Sequence, residues 1–330
     1  MRDQLNYRTL IVGCGSIAGG LDNLQVDTTR LPFTHAKAYK ENKNFHTIGC
    51  VDPNPKVLAS FQKRWSIESG FSDIYDAVCQ GLDVDVVSIC SPTKYHGEHL
   101  EQVLSLNPKL VFCEKPIHEN YLAARAIVQK YKAQNVRLLV NYSRRFDAQV
   151  DLFKKALSSE EYGELRAIHG WYNKGLLNNG SHILDMLCFL FETLSVDYVG
   201  NALFDFTPED PSIPIVLTTS TGVSVSLSRA DARDFSLFEL DFVFSHARVK
   251  MLDGGLKWSV ETVIDSEVFG GYKTLGPPTV NEGGYSRALE NALINIHDCL
   301  SSDVYPLCNG EDGLAVLKLY SQIMSKIRSN

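Results

Sequence analysis

A glycine-rich hexapeptide near the N-terminus carries the first chemical signal. Gly13-Cys14-Gly15-Ser16-Ile17-Ala18 fits the pattern G-x-G-x-x-G/A and directly follows the apolar run Thr9–Val12. Gly13 permits a tight turn, Gly15 lets backbone approach a pyrophosphate, and Ala18 lets the next segment pack close to the strand. The backbone of Gly13–Ile17, Ser16 included, then directs N–H groups at phosphate, helped by a helix N-terminus. Asp52 closes a second apolar run, Ile48–Val51. A carboxylate there accepts hydrogen bonds from ribose hydroxyls and repels a 2′-phosphate, which favours NAD over NADP. The alternative is that Asp52 merely turns the chain before Pro53. Asp52 lies 39 residues after Gly13, against about 20 in the usual fingerprint. The polar, turn-rich stretch Gly20–Phe33 reads as an insertion that accounts for the excess.

Other chemistries find less support. The nine histidines show no H-x-x-x-H or H-E-x-x-H spacing, and His96 and His99 have no cysteine or carboxylate cluster beside them, so no metal site is expected. No G-x-S-x-G elbow is present. The eight cysteines include no C-x-x-C pair and sit mostly in apolar surroundings. They read as buried free thiols of a reducing cytoplasm.

The elements that must carry these residues alternate regularly at first. Apolar runs Thr9–Val12, His46–Val51, Val84–Cys90, Leu110–Cys113 and Arg137–Asn141 read as strands. Helix-like segments lie between them: Thr34–Glu41, Lys56–Trp65, Ile74–Gln80, Tyr95–Ser105 and Asn120–Gln134. Strands apolar on both faces, alternating with helices, make a doubly wound parallel Rossmann sheet. Past residue 145 the rhythm changes. Two helix-like stretches, Asp147–Leu157 and Ser181–Phe191, precede strands with period-2 alternation. Phe238, Leu240, Phe242 and Phe244 share one face, and Ser224, Ser226 and Ser228 line the polar face of another strand. That pattern is an open, mostly antiparallel sheet with one buried face. Two amphipathic helices, about Gly284–Leu300 and Glu311–Arg328, end the chain. The expected class is α/β, with a Rossmann domain over 1–143 and a substrate and oligomerisation domain over 144–330. The last helix is free to pack back on the first domain.

The chain has 330 residues, 44% hydrophobic and 22% charged, and a net charge of -7. These values describe an ordinary globular protein with a sizeable core. An acidic chain without a long basic run is a poor nucleic-acid binder. No apolar run approaches the ~18 residues of a membrane span.

Four further segments carry a family resemblance. They are Cys90-Ser91-Pro92-Thr93-Lys94-Tyr95-His96, Glu114-Lys115-Pro116, Asn141-Tyr142-Ser143-Arg144-Arg145-Phe146 and Gly180-Ser181-His182-Ile183-Leu184-Asp185. With the glycine-rich turn, and in this order, they resemble the Gfo/Idh/MocA oxidoreductases, relatives of glucose-fructose oxidoreductase and inositol dehydrogenase. The resemblance implies that Ser91, Pro92, Thr93, His96 and Glu114 lie along the cofactor. It makes Lys115 the acid/base, preceding Pro116 through a cis bond, and His182 the active-site histidine. A lysine at the carboxyl end of a parallel strand also points into the ligand crevice on general grounds. The implied reaction passes a hydride between a carbinol carbon and nicotinamide C4, on a pyranose, cyclitol or nucleotide-sugar. A homodimer or homotetramer through the second sheet is implied as well.

One position departs from the family. Many members carry aspartate four residues before the histidine, where this chain has Asn178. Asparagine cannot take a proton. That leaves Lys115 and His182 as proton carriers and the substrate open. Tyr172 and Lys174 are candidate substrate contacts or else the exposed edge of a strand. Arg145, with Arg144, either holds an anionic substrate group or pairs with acidic side chains. The alternatives to a simple dehydrogenase are a non-catalytic sensor of nucleotide or sugar and an epimerase or eliminase that recycles NAD.

Overall fold

The computed structural model describes residues 6–23 and 32–327. The stretch read as an insertion therefore lies largely outside the described residues. The chain divides into two compact units, Met1–Phe146 with Arg287–Leu314, and Asp147–Ser286 with Ala315–Asn330.

The first unit is built on six parallel strands: β1 (Tyr7–Val12), β2 (Phe45–Val51), β3 (Ser69–Phe71), β4 (Val86–Ile89), β5 (Leu110–Cys113) and β6 (Arg137–Val140). Their order is β3-β2-β1-β4-β5-β6. All residues of β4 and β5 are buried, as strands covered on both faces must be. The helices are α1 (His35–Glu41), α2 (Pro55–Trp65), α3 (Ile74–Cys79), α4 (His96–Gln102) and α5 (Tyr121–Ala133). Local chemistry starts three of them. The side chains of Asn54, Asp73 and Asn120 accept hydrogen bonds from the first free N–H groups of α2, α3 and α5. The sequence pattern missed only β3, three residues of which two are Ser69 and Gly70, too short and too small to show a period.

The second unit starts with α6 (Ala148–Ser158), capped by Asp147, and β7 (Leu165–Tyr172). A π-type turn, Gly175–Gly180, runs straight into α7 (Ser181–Phe191). Then follow β8 (Leu194–Val199), β9 (Ile215–Thr219), β10 (Ser224–Arg229), β11 (Phe238–Phe244), β12 (Ala247–Leu252), β13 (Lys257–Asp265), β14 (Lys273–Leu275) and β15 (Thr279–Glu282). The order is β14-β13-β12-β11-β7-β10-β9-β8, with β15 also on β13. Every pair is antiparallel except β7 with β10. The chain leaves β7 through α7 and two strands before it returns beside it, and such a crossover delivers a parallel neighbour. The alternating Phe238, Leu240, Phe242 and Phe244 are buried as expected. Phe153 of α6 seals that face, its ring 4.6 Å from Phe242 and 5.3 Å from Trp258.

The chain closes with α8 (Ala288–Ser301) and α9 (Gly310–Ile327). In the first unit, Cys308 O accepts from Val140 N at 2.9 Å, so this returning segment extends the edge at β6.

The strand order reverses between β1 and β4, and ligands of such sheets bind beyond the carboxyl ends at that point. Gly13 sits there with φ +87°, and a Cβ on it would lie 2.7 Å from Ser91 N and 2.8 Å from Ser91 Cα. Gly13→Ala therefore has to push the two backbones away from each other and hold alanine at positive φ. The expected cost is about 1–3 kcal/mol, visible as a lowered thermal midpoint, with loss of NADH binding in a fluorescence titration.

Candidate active site

In the first unit the turn after β1 is open where a ligand would need it. A Cβ at Gly15 would meet nothing within 4 Å. Among the described residues, none accepts a hydrogen bond from the N–H of Gly15, Ser16 or Ile17. Ala18 is fully buried, as a close-packing position requires. Asp52 is half-buried at the end of β2. Its Oδ2 accepts from Cys14 N at 3.0 Å and its Oδ1 from Asn54 N at 2.9 Å, which fixes the carboxylate beside the turn. Unused amides, a clear approach and a fixed carboxylate together fit a dinucleotide, with phosphate at Gly15–Ile17 and ribose at Asp52.

The loops after β4 and β5 are locked to one another by His96. Its Nε2 lies 2.8 Å from Ser91 O and its Nδ1 2.6 Å from Pro116 O. Pro116 follows the cis Lys115–Pro116 bond. His96 is 1% exposed, and burial lowers its pKa; the neutral ring carries one N–H, so it donates to one of the two carbonyls and packs its other nitrogen against the second. Ser91 Oγ pairs with His99 Nδ1 at 2.9 Å, while Pro92 and Thr93 keep accessible surface. Lys115 is half-buried at the end of β5.

Glu114 turns inward. Its Oε1 accepts from Asn141 Nδ2 at 2.6 Å and lies 3.0 Å from His35 Nε2. Burial alone would raise this carboxyl, but the hydrogen bonds from His35 and Asn141 and the nearby Lys115 hold it below the ordinary range. His35 is fully buried, with Nδ1 3.3 Å from Ser88 Oγ, which in turn meets Tyr39 OH at 2.7 Å. Sequence reasoning passed over His35 and Tyr39. Their spacing of four on one helix face, polar tips among apolar residues, was the available signal.

In the second unit, Lys174, Asn178 and His182 lie along the π-type turn and the first turn of α7. Insertions of this type often mark functional sites. Lys174 takes a left-handed conformation, φ 63°. Two aspartates of the 205–210 loop shape the turn. Asp205 Oδ2 accepts from Lys174 N and Ala232 N, each at 3.0 Å. Asp210 accepts from Leu177 N at 2.8 Å and Asn178 N at 2.7 Å. Nothing local in the sequence pairs residues some 30 positions apart, which is why both aspartates were missed. Asn178 is exposed and donates from Nδ2 to Lys174 O at 3.1 Å. His182 is half-buried, edge-on to Phe238.

Residues 7–142 match the model of the oxidoreductase family with an NAD-binding Rossmann fold, GFO_IDH_MocA. Over these residues, the sheet of the first unit, the chain is similar to the Gfo/Idh/MocA oxidoreductases. Inositol 2-dehydrogenase of Rhizobium meliloti (strain 1021) is 23% identical over 316 residues, 88% of this chain and 92% of that protein. Among solved structures, the WlbA dehydrogenase from Bordetella pertussis, in complex with NADH and UDP-GlcNAcA, superposes with a TM-score of 0.77 at 19% identity, over 98% of this chain and 97% of that one. An oxidoreductase from Agrobacterium radiobacter in complex with NAD+, L-tartaric acid and magnesium gives 0.75 at 17% identity, over 97% and 96%. At these identities the structural likeness concerns the fold.

Several expectations of the sequence meet a different geometry, and for Arg145 the pairing alternative holds. His96 offers a cofactor no surface, because the ring is 1% exposed with both nitrogens turned to backbone carbonyls of the two loops. Glu114 commits only Oε1, to His35 and Asn141, and keeps a partly exposed side chain. Arg145 is 4% exposed, and its Nη1 lies 2.9 Å from Asp312 and donates to Leu307 O at 3.3 Å, so it anchors the returning segment. Tyr172 is fully buried; its OH donates to Ile213 O at 2.7 Å and accepts from Ile213 N at 2.9 Å. The cysteines are not all buried either, since Cys79 ends α3 exposed and Cys188 is half-buried.

Two outcomes follow from this geometry. Tyr172→Phe orphans both backbone groups of Ile213 and should cost about 1–3 kcal/mol, read by thermal melting, with KM unchanged. Asn178→Asp removes the donor to Lys174 O and sets a carboxylate beside Asp210. It should cost about 0.5–1.5 kcal/mol and weaken substrate binding, read by melting and by KM.

Proposed function

We propose that this protein is a cytoplasmic NAD(H)-dependent dehydrogenase of a sugar, cyclitol or nucleotide-sugar, acting on a secondary hydroxyl. The observation that carries the reading is the arrangement at the switch point. Unused amides at Gly15–Ile17 lie at the end of β1, and the β4 and β5 loops are held together by His96 with Lys115 at their rim. The names of the relatives, an inositol dehydrogenase and a dehydrogenase crystallised with a nucleotide-sugar acid, support the substrate class. NAD, when bound, supplies the hydride acceptor or donor.

The chain's own residues do the rest. Backbone around Gly13–Ile17 holds phosphate, and Asp52 takes the ribose hydroxyls. Lys115 exchanges the proton of the substrate hydroxyl, with His182 as its partner. The neutral Asn178 contributes hydrogen bonds and no charge. Among the described residues no cysteine forms a disulfide, which supports a reducing compartment, and no helix there is long and apolar enough to cross a membrane. Assembly as a homodimer or homotetramer through residues 215–260 completes the reading. The exposed Trp171, Tyr198 and Val243 on strands of that sheet support it.

Lys115→Ala should lower turnover about 10²–10⁴-fold and leave NADH affinity within about twofold, because the phosphate contacts are backbone contacts. Steady-state assays on a panel of cyclitols and sugars, with NADH fluorescence titration, measure both. An active Lys115→Ala enzyme would overturn the mechanism. The same titration should favour NADH over NADPH; the reverse order would mean that Asp52 does not meet the ribose.

A further inference from the structure

The polar chain Tyr39–Ser88–His35–Glu114–Asn141 runs through the core of the first unit and passes one residue from Lys115. A histidine buried completely needs a reason, because burying polar groups is unfavourable unless each is partnered. Here each nitrogen is: Nδ1 with Ser88 Oγ at 3.3 Å and Nε2 with Glu114 Oε1 at 3.0 Å, while the ring lies 4.8 Å from that of Phe112. Asn141 Nδ2 binds the same oxygen, Oε1, at 2.6 Å. Two donors on one oxygen hold the carboxylate of Glu114 inward. The strand cannot relax this arrangement, since Glu114 N donates to Ile89 O and Asn141 N to Cys113 O.

We propose that His35 is a positioning residue: through its bond to Glu114 it keeps that carboxylate turned into the core and so sets how readily the adjacent Lys115 gives up its proton. The inference rests on the reading of Lys115 as the proton carrier, and it concerns the tuning of that residue. An opposite charge close to an ammonium stabilises its charged form, and more so as it draws nearer. A carboxylate released from His35 would be drawn to Lys115 and would hold its proton more tightly. The other titratable groups that feel Glu114 are His96 of α4 and the thiols of Cys90 and Cys113. Burial lowers the pKa of His96 and raises both thiols, so Lys115 is the cation left to answer a change at Glu114.

The test needs no substrate. Trace acetylation of the intact protein with acetic anhydride across a pH series, read by mass spectrometry of the Lys115 peptide, yields the midpoint of Lys115. Accessibility alters the plateau of such a profile and leaves its midpoint in place. Glu114→Gln should move the midpoint down and speed labelling at pH 8 threefold or more. His35→Leu should move it up and slow labelling threefold or more. His35→Gln keeps a donor for Glu114 and should stay within twofold of the wild type. The double variant should follow Glu114→Gln, because His35 acts only through that carboxylate. His35→Phe, seated against Phe112, replaces His35→Leu if the latter fails to fold. A folded His35 variant whose Lys115 midpoint matches the wild type would overturn the proposal and leave His35 a purely structural residue. So would a double variant that differs from Glu114→Gln. Retained turnover in Lys115→Ala would instead remove the catalytic reading, and the labelling profiles would still report whether the coupling exists.

Discussion

The approach of two backbones, at Gly13 and at Ser91, is the constraint on which the candidate site depends. The turn after β1 comes so near the turn after β4 that a single Cβ would not fit between them. This contact sets the mouth of the sheet at the point where its strand order reverses. It leaves Gly15 facing open space with its amide unused. His96 then extends the same rigid rim by one strand, joining Ser91 to Pro116. Lys115 is placed by this succession of backbone contacts, and its position therefore does not depend on side-chain packing at the surface.

Buried polar residues in this protein fall into scaffolding more often than their types suggest. Histidine, arginine and tyrosine near a ligand crevice invite a functional reading. In His96, Arg145 and Tyr172 the hydrogen-bonding groups are directed at backbone carbonyls, an amide or a carboxylate inside the same unit. The reason is energetic. A buried donor left unmatched costs about 1–3 kcal/mol, so a side chain that reaches the core is under pressure to bond there. Gly15, Ser16 and Thr93 of the first unit keep accessible surface, and so do Lys174 and Asn178 of the second.

The second unit obeys a related rule. The turn that carries Lys174 and Asn178 is irregular, and irregular backbone has N–H groups to satisfy. Asp205 and Asp210 take three of them, those of Lys174, Leu177 and Asn178, and Asp205 also takes that of Ala232. A carboxylate at position 178 would stand in the field of Asp210, which supplies a physical reason for asparagine there.

Much of this was legible from residues alone. Continuous apolar runs between amphipathic segments determined a parallel sheet, because only strands covered on both faces can be apolar throughout. Period-2 alternation at Phe238–Phe244 determined a sheet with one buried face. The hexapeptide at Gly13 determined the binding turn, since glycine is required wherever backbone must pass so close. What the tertiary structure decided is which side chains face inward. Sequence spacing places Glu114 beside Lys115 but does not say that its carboxylate turns to His35, 79 positions away. It places Tyr172 just before the π-type turn but does not say that its hydroxyl closes on Ile213. It cannot pair Asp210 with Asn178, or β7 in parallel with β10. These outcomes depend on contacts between elements remote in the chain, where local periodicity carries no information and the pairing of buried polar groups decides.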